Sequence, residues 1–517
     1  MNQNLYLQFS GNFEHRPDKV LIDTPSGEQY RYRDVLSTSR RMAQVLRESG
    51  VEPGDRVVVQ VDKSPQAIML YLACLQTGAV YLPLNTAYTE AEVEYFLTDA
   101  EPRLYVCRPD DLGLANRLAQ RCGANEGEGL GVESLGSDAD GSLMDRVANA
   151  EEDTRIAELE ANDLASILYT SGTTGRSKGA MLSHGNLAAN SQALAQTWQF
   201  TADDHLLHAL PIFHTHGLFV ACNIVLTVGA SMTFLPKLDA EQLLDLMPRA
   251  TVLMGVPTFY TRLLASPRLD KKTTANMRLF VSGSAPLLAE THREFHERTG
   301  HAILERYGMT ETNMNTSNPY DGERRPGTVG FALPGSEVRI TDRDSGKTLP
   351  AGETGLVEVR GPNVFQGYWR MPEKTASEFR EDGFFITGDL GLIDEAGYLN
   401  IVGRDKDLVI SGGYNVYPKE IEQWIDELPQ VVESAVIGVA HPDLGEGVTA
   451  AVVVKPGESL DEAQVLAALN DKVARYKQPK RVFFIDALPR NVMGKVQKNA
   501  LRERYADIYL GTETANP

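Results

Sequence analysis

The sequence predicts an α/β protein: a large N-terminal domain of layered α/β subdomains ending in a β-rich portion, followed by a small C-terminal α/β domain. Three observations carry this. Short apolar runs alternate with helix-period segments from Tyr32 to Leu304; short strands broken by Gly and Asp turns fill Gly327 to Val409; a separate α/β pattern begins beyond Arg404. At 517 residues the chain also exceeds the roughly 250–300 at which one core stops growing. The expected division is 1–403 and 404–517.

The elements follow in order. Tyr32–Arg47, Ser64–Gln76 and Glu90–Leu97 read as helices, and RVVVQV at Arg56–Val61 and AVYLPL at Ala79–Leu84 as buried strands. Gly123–Gly141, rich in Gly, Glu, Asp and Ser without a period, reads as a surface loop. LLHALPI, SMTFLP, ATVLMGV and MRLFVSG then read as strands between helices, and a helix is expected from Pro286. SEVRIT, GLVEVRG and YLNIVG supply the β-rich portion. In the last part, helices are expected at Lys419–Glu427 and Asp461–Val473, and strands at Ser434–Val439, Val448–Val454 and Arg481–Ile485. No internal repeat of 20 to 50 residues is visible.

Composition narrows the function. No run approaches ~18 apolar residues and the N-terminus has no basic segment followed by an apolar one, so an intracellular, cytoplasmic protein without membrane association is expected. Cys74, Cys107, Cys122 and Cys222 lie far apart in no C-x-x-C spacing, which implies reduced thiols. A formal charge of −20 opposes binding to nucleic acid or anionic membranes. Against it, Asp471–Asp507 holds ten Lys or Arg and four Asp or Glu, a locally basic segment suited to an anionic ligand.

The most specific string is YTSGTTGRSKG at Tyr169–Gly179. It lies between the apolar runs LASIL and AML, as a strand, loop, strand unit. Glycine backbone can approach phosphate oxygens, hydroxyls donate hydrogen bonds and a lysine adds positive charge. Thr170, Ser171, Gly172, Thr173, Thr174, Gly175 and Lys178 are therefore expected to hold a nucleotide triphosphate. The spacing is not that of a Walker A loop, because Ser177 stands where its second glycine would fall.

Four further strings follow: SGSAPL at Ser282–Leu287, ERYGMTET at Glu305–Thr312, TGD at Thr387–Asp389 and GRDKDLVISGGYNVYP at Gly403–Pro418, with a late Lys495 in PRNVMGKVQK. Together and in this order, nearly the whole chain resembles the acyl-CoA synthetases of the acyl-adenylate-forming superfamily. HALPIFHTHGLF and GSAPLLAETHREF are similar to segments of malonyl-CoA synthetases. The resemblance implies the acyl-adenylate-forming enzyme fold with a mobile C-terminal domain. It also implies ATP-dependent ligation of malonate to coenzyme A through malonyl-AMP, with ATP, Mg2+ and coenzyme A as cofactors and co-substrates.

Carried onto this chain, the resemblance places Mg2+ on Glu311 and Thr170, consistent with a hard cation that takes oxygen ligands. It places adenine against Tyr307, with Gly283, Ser284, Ala285, Glu305, Gly308, Met309 and Thr310 around the nucleotide, and the ribose on Asp389 and Arg404. Lys495 would be the adenylation cation, because attack of a carboxylate on the α-phosphate gathers negative charge. Lys406 would be the hinge, and Gly412 and Gly413 would line the passage for pantetheine. The family resemblance also makes Lys495 a candidate for a lysine acetyltransferase.

A dicarboxylate brings a second charge that a planar guanidinium fork suits best, and Arg293 is the expected partner. His216 is expected to donate to the substrate carboxylate or to wall the pocket, Ser284 to add a hydroxyl, and Met314 to limit substituents between the carboxylates. His214 and His216 at i, i+2 make a poor zinc site. The alternatives are the same chemistry on methylmalonate or another short acid, or a carrier-linked adenylation module.

Overall fold

The computed structural model describes residues 2–123, 129–170, 177–470, 472–491 and 494–509. Its frame is a pair of mainly parallel sheets. One has seven strands, in the spatial order Gly367–Tyr368, Lys178–Ser183, Leu164–Thr170, Val80–Pro83, Arg56–Gln60, Leu104–Cys107 and Gly131–Ser134. The other has nine, running from Phe331–Ala332 through Asn313–Ser317, Leu304–Met309, Leu279–Ser282, Val252–Gly255, His205–His208, Ser231–Phe234 and Val20–Asp23 to Gln29–Arg31. Near-continuous apolar runs such as VYLP and LYVC are buried throughout, as strands covered on both faces require.

Helices are placed by their caps. Ser64 accepts from the Ala67 N–H with Pro65 in the first turn, and Gly78, at φ +78°, ends the same helix, Pro65–Thr77. Every residue of that helix is buried. One core cluster runs through both sheets and on into the β-rich portion, taking in Val357, Val359, Phe385 and Leu399. The four antiparallel strands of that portion are Glu337–Thr341, Gly355–Arg360, Phe385–Ile393 and Leu399–Arg404.

Beyond the turn Asp405–Asp407 the chain builds a separate sheet around the long hairpin Val431–His441 and Gly445–Val454. Its cores, centred on Val436, Val448 and Ala450 and on Ile437, Ala451 and Leu501, contain no residue from before Leu408. A small cluster of Leu356, Leu390 and Leu408 joins the two parts.

Three expectations change. The surface loop expected at Gly123–Gly141 contains the edge strand Gly131–Ser134, paired in parallel with Leu104–Cys107. The helix expected from Asp461 to Val473 spans Glu462–Leu469, and the one expected from Pro286 begins at Ala289. The four cysteines are free, and no helix among the described residues is long and apolar enough to cross a membrane.

The sheet that carries Asp389 is held by a buried carboxylate. Glu358 accepts from Thr341 Oγ1 at 2.8 Å, Arg380 Nε at 2.7 Å and Arg339 Nη2 at 2.8 Å. Removing the anion takes from Arg380 its carboxylate partner and leaves Arg339 with Asp382 alone. Glu358→Met is therefore expected to lower unfolding free energy in urea by about 3 kcal/mol; a loss below about 1 kcal/mol would contradict this account.

Candidate active site

One end of the candidate site is framed by two registered strands. Thr170 and Lys178 stand opposite each other at the ends of Leu164–Thr170 and Lys178–Ser183. Ser171, Gly172, Thr173, Thr174 and Gly175, expected to hold the triphosphate, lie outside the described residues. The Lys178 ammonium sits 4.0 Å over the Tyr368 ring and 3.5 Å from Glu378 Oε1, which Lys374 also meets at 2.6 Å. Tyr368 Oη lies 2.7 Å from Glu378 Oε2 and 3.0 Å from Glu311 Oε1. Glu311 is buried, and that burial raises its pKa above the usual carboxylate value. The result is an alternation of cations and carboxylates, with Glu311 as its innermost member.

The other end, expected to take the nucleoside, centres on Asp389. Arg404 Nε lies 2.7 Å from Asp389 Oδ1, and the Tyr307 hydroxyl donates to Oδ2. Each carboxylate oxygen keeps a second lone pair for a ligand hydroxyl. Burial, then the Asp389 charge, push the Tyr307 phenol upward, so it remains a donor. Gly308 lets two strands close tightly: a Cβ there would lie 1.9 Å from the Asn313 carbonyl and 2.6 Å from Met314 Cε. Met309 and Thr310 continue that edge, where Thr312 N–H donates to the Met309 carbonyl at 3.2 Å.

Lys495 comes from the C-terminal part, on a tight turn at Gly494 (φ +75°). The Asn491 N–H donates to the Lys495 carbonyl at 2.9 Å, and the Lys495 N–H to Asn491 Oδ1 at 3.0 Å. The Lys495 side chain is exposed at the edge of the cleft. Desolvation and then Arg404 lower its pKa, against Asp389 and Glu311, which raise it. The two parts of the chain thus meet over the nucleoside residues.

Behind this lies a buried arginine, the feature sequence reasoning missed. Arg306 is 3% exposed, and its Nε and Nη2 find no hydrogen-bond partner. No ion pair reaches it among the described residues. Gly283 makes room for it: a Cβ at that position would lie 2.4 Å from the guanidinium carbon. Burial lowers the Arg306 pKa to about 9. Beside it, His216 Nδ1 lies 3.3 Å from Ser284 Oγ, while its Nε2 is buried and unpaired. Ser284 holds φ +70°, a conformation a non-glycine residue adopts only under constraint.

His214 stands between the two centres. Burial, then Lys495 and Arg306, push its pKa down to about 3, so it is neutral. Its Nδ1 accepts from the His216 N–H at 3.2 Å, which leaves Nε2–H as a donor. Ser282 Oγ, Thr312 Oγ1 and the Asn313 and Asn315 amide nitrogens are also buried without partners. A buried guanidinium with two unpaired nitrogens is suited to an anion.

Residues 9–369 match the AMP-binding enzyme family, and residues 420–495 match its C-terminal domain. The chain belongs to the AMP-binding enzymes. Its fold is that of the adenylate-forming enzymes. It is 61% identical to MatB from Rhodopseudomonas palustris in an ATP-bound crystal structure, with a TM-score of 0.95 over 98% of this chain and 100% of that one. It is 35% identical to a mitochondrial malonate–CoA ligase of Mus musculus, over 94% of this chain and 88% of that protein. A long-chain-fatty-acid–CoA ligase of Bacillus subtilis is 32% identical over 97% of this chain and 94% of its own length.

In this AMP-binding enzyme Arg293 does not point inward. The helix Ala289–Thr299 buries Thr291, His292, Phe295 and Thr299, while Arg293 is exposed. At about 100° per residue, Arg293 falls about 200° from Phe295, on the opposite face. Met314 is buried, Lys406 is exposed on its turn, and Gly412 and Gly413, at φ +59° and +82°, form a two-residue hairpin turn. Among the described residues, no cluster of three or more His, Cys, Asp or Glu could hold a metal.

Glu305 is also buried, and its Oε1 accepts the Gly327 N–H at 3.1 Å. Burial raises its pKa to about 8. The folded state therefore keeps a proton that the unfolded state releases near the ordinary carboxylate pKa of ~4.3. Stability from this group is complete at low pH and declines as pH rises to about 8. Glu305→Gln, a permanently neutral mimic, is expected to melt close to the parent at pH 5 and above it at pH 8.5. A difference independent of pH would contradict the assignment.

Proposed function

We propose that this acid–thiol ligase activates malonate with ATP and transfers it to coenzyme A, giving malonyl-CoA, AMP and pyrophosphate. The observation that carries this reading is the buried, unpaired Arg306 beside His216. An aliphatic acyl chain would leave that guanidinium uncompensated, whereas the distal carboxylate of a short diacid meets it with a bidentate pair. Arg306, rather than Arg293, is then the distal-carboxylate partner. The malonate–CoA ligase relatives agree with this choice of acid.

In the first step, one carboxylate oxygen of malonate attacks the α-phosphorus of ATP as the bond to the β-phosphate breaks and pyrophosphate leaves. Lys495, held over the nucleoside residues, supplies positive charge where it develops, and Lys178 and the Ser171–Gly175 segment hold the departing phosphates. Asp389 and Arg404 take the ribose, and Tyr307, Gly283, Ser284 and Ala285 border the adenine. Glu311 and Thr170 fit Mg2+, which takes one or two protein oxygens alongside phosphate oxygens. When bound, the ion neutralises phosphate charge.

In the second step, the thiol sulfur of coenzyme A attacks the acyl carbon of malonyl-AMP, AMP leaves and the thiol proton passes to solvent. Lys495 is then no longer needed. The separate core beyond residue 404 suits a body that turns about Lys406 and brings Gly412 and Gly413 to the pantetheine arm. The exposed Tyr414 and Tyr476 rings, 4.8 Å apart next to Lys477, offer a basic stacking platform for the nucleotide end of coenzyme A. Met314, buried against the Gly308 edge, would limit the size of a substituent between the carboxylates.

The test is pyrophosphate release with ATP, Mg2+ and coenzyme A across malonate, methylmalonate, succinate, acetate and octanoate. Malonate is expected to exceed acetate and octanoate in kcat/KM by about 100-fold or more, as for a site that pairs a polar group of its substrate. Equal or better use of either monoacid would overturn the substrate. Lys495→Ala should suppress pyrophosphate release by a factor on the order of 100 while still converting preformed malonyl-AMP to the thioester. Equal loss of both steps would refute the division of labour.

A further inference from the structure

The loop that carries His214 and His216 is closed at its neck by one imidazole. His208 ends the strand His205–His208, and its Nε2 lies 2.8 Å from the Gly217 carbonyl oxygen. On the other side of the ring, Lys63 Nζ lies 2.8 Å from His208 Nδ1 and donates at 2.8 Å to the carbonyl of His208 itself. A carbonyl oxygen only accepts, so the proton sits on Nε2, directed at Gly217, and Nδ1 accepts from the Lys63 amino group. Cys222 Sγ lies 3.4 Å from Nε2. The Phe234 ring packs under the pair, 4.3 Å from Lys63 Nζ and 4.9 Å from the His208 ring.

The neck cannot widen without loss. A Cβ on Gly217 would lie 2.0 Å from the Pro211 carbonyl oxygen, so the backbone at 211 and 217 is in direct contact. From His216 to Cys222 the chain then forms a π-helical turn. Such turns are rare and have no sequence preference strong enough to form alone, so tertiary contacts hold them. His208 supplies one of those contacts at the residue next to His216.

We propose that Lys63 and His208 are positioning residues for the acyl pocket. Lys63 fixes His208 as the Nε2–H tautomer, and that N–H clamps Gly217, so that His216 keeps its place beside Ser284 and Arg306. The inference rests on the reading of His216 as a wall of the acyl pocket.

Lys63→Met keeps the stem and removes the donors. It is expected to raise KM for malonate about tenfold, with KM for ATP within about twofold, because both hydrogen bonds from Lys63 to His208 are lost away from the nucleotide. Hydrogen exchange of peptides covering 209–222 should quicken in the same variant. His208→Gln, which can still donate to Gly217, should keep KM near the parent value, while His208→Ala should reproduce Lys63→Met. The proposal is overturned if KM for malonate stays within twofold in Lys63→Met, or rises equally for ATP. If that variant does not fold, the two His208 variants decide, and equal behaviour of Gln and Ala overturns it. Should the parent enzyme prefer another acid, the malonate reading fails and the same comparison runs on that acid; the exchange measurement needs no acid at all.

Discussion

Burying the Arg306 guanidinium with two nitrogens unpaired opposes folding by several kcal/mol, and the surrounding fold is arranged to hold it in place. Gly283 gives it space, the strand Leu304–Met309 fixes its backbone, and His214 and His216 stand neutral beside it. Neutral imidazoles matter here, since further positive charge would repel the guanidinium and compete for the same anion. On the proposed reading, the distal carboxylate of the acid supplies the compensation this guanidinium lacks.

The nucleotide half uses the opposite device. There the charges are already paired: Asp389 with Arg404 and Tyr307, Glu378 with Lys178 and Lys374. Such pairs hold side chains in place before ligand arrives, and the ligand exchanges partners instead of recruiting them. Lys495 joins from a separately cored part of the chain, so it can be withdrawn without disturbing these pairs. His214 links the halves, sensing both Lys495 and Arg306.

Most of the architecture was legible because parallel strands buried on both faces read as uninterrupted apolar runs, as in RVVVQ and LFVS. Gly131–Ser134 was not, because an edge strand of GVES carries no apolar period. The motif residues were legible through their strings, but their partners were not. Tyr368 and Glu378 lie far along the chain from Glu311 and Lys178 and meet them only through the pairing of Gly367–Tyr368 with Lys178–Ser183. Arg306 sat unremarked inside ERYGMTET, since nothing local tells an inward arginine from an outward one on a strand without its sheet. Arg293 was the reverse: a suitable residue whose helical phase turns it to solvent. His208 bonds Gly217 from nine residues away, but its own partner Lys63 lies 145 residues earlier, and no window around the π turn could reveal that contact.

The central claim is that one buried guanidinium selects a diacid. Its most direct test is the ratio of kcat/KM for malonate to that for propionate, which differ by the distal charge, measured in the parent, Arg306→Met and Arg293→Ala. The account predicts that Arg306→Met lowers the ratio by a factor on the order of 100, as for loss of one partner of a desolvated charge pair, while Arg293→Ala leaves it within about twofold. An unchanged ratio in Arg306→Met, or its collapse in Arg293→Ala, would contradict the account.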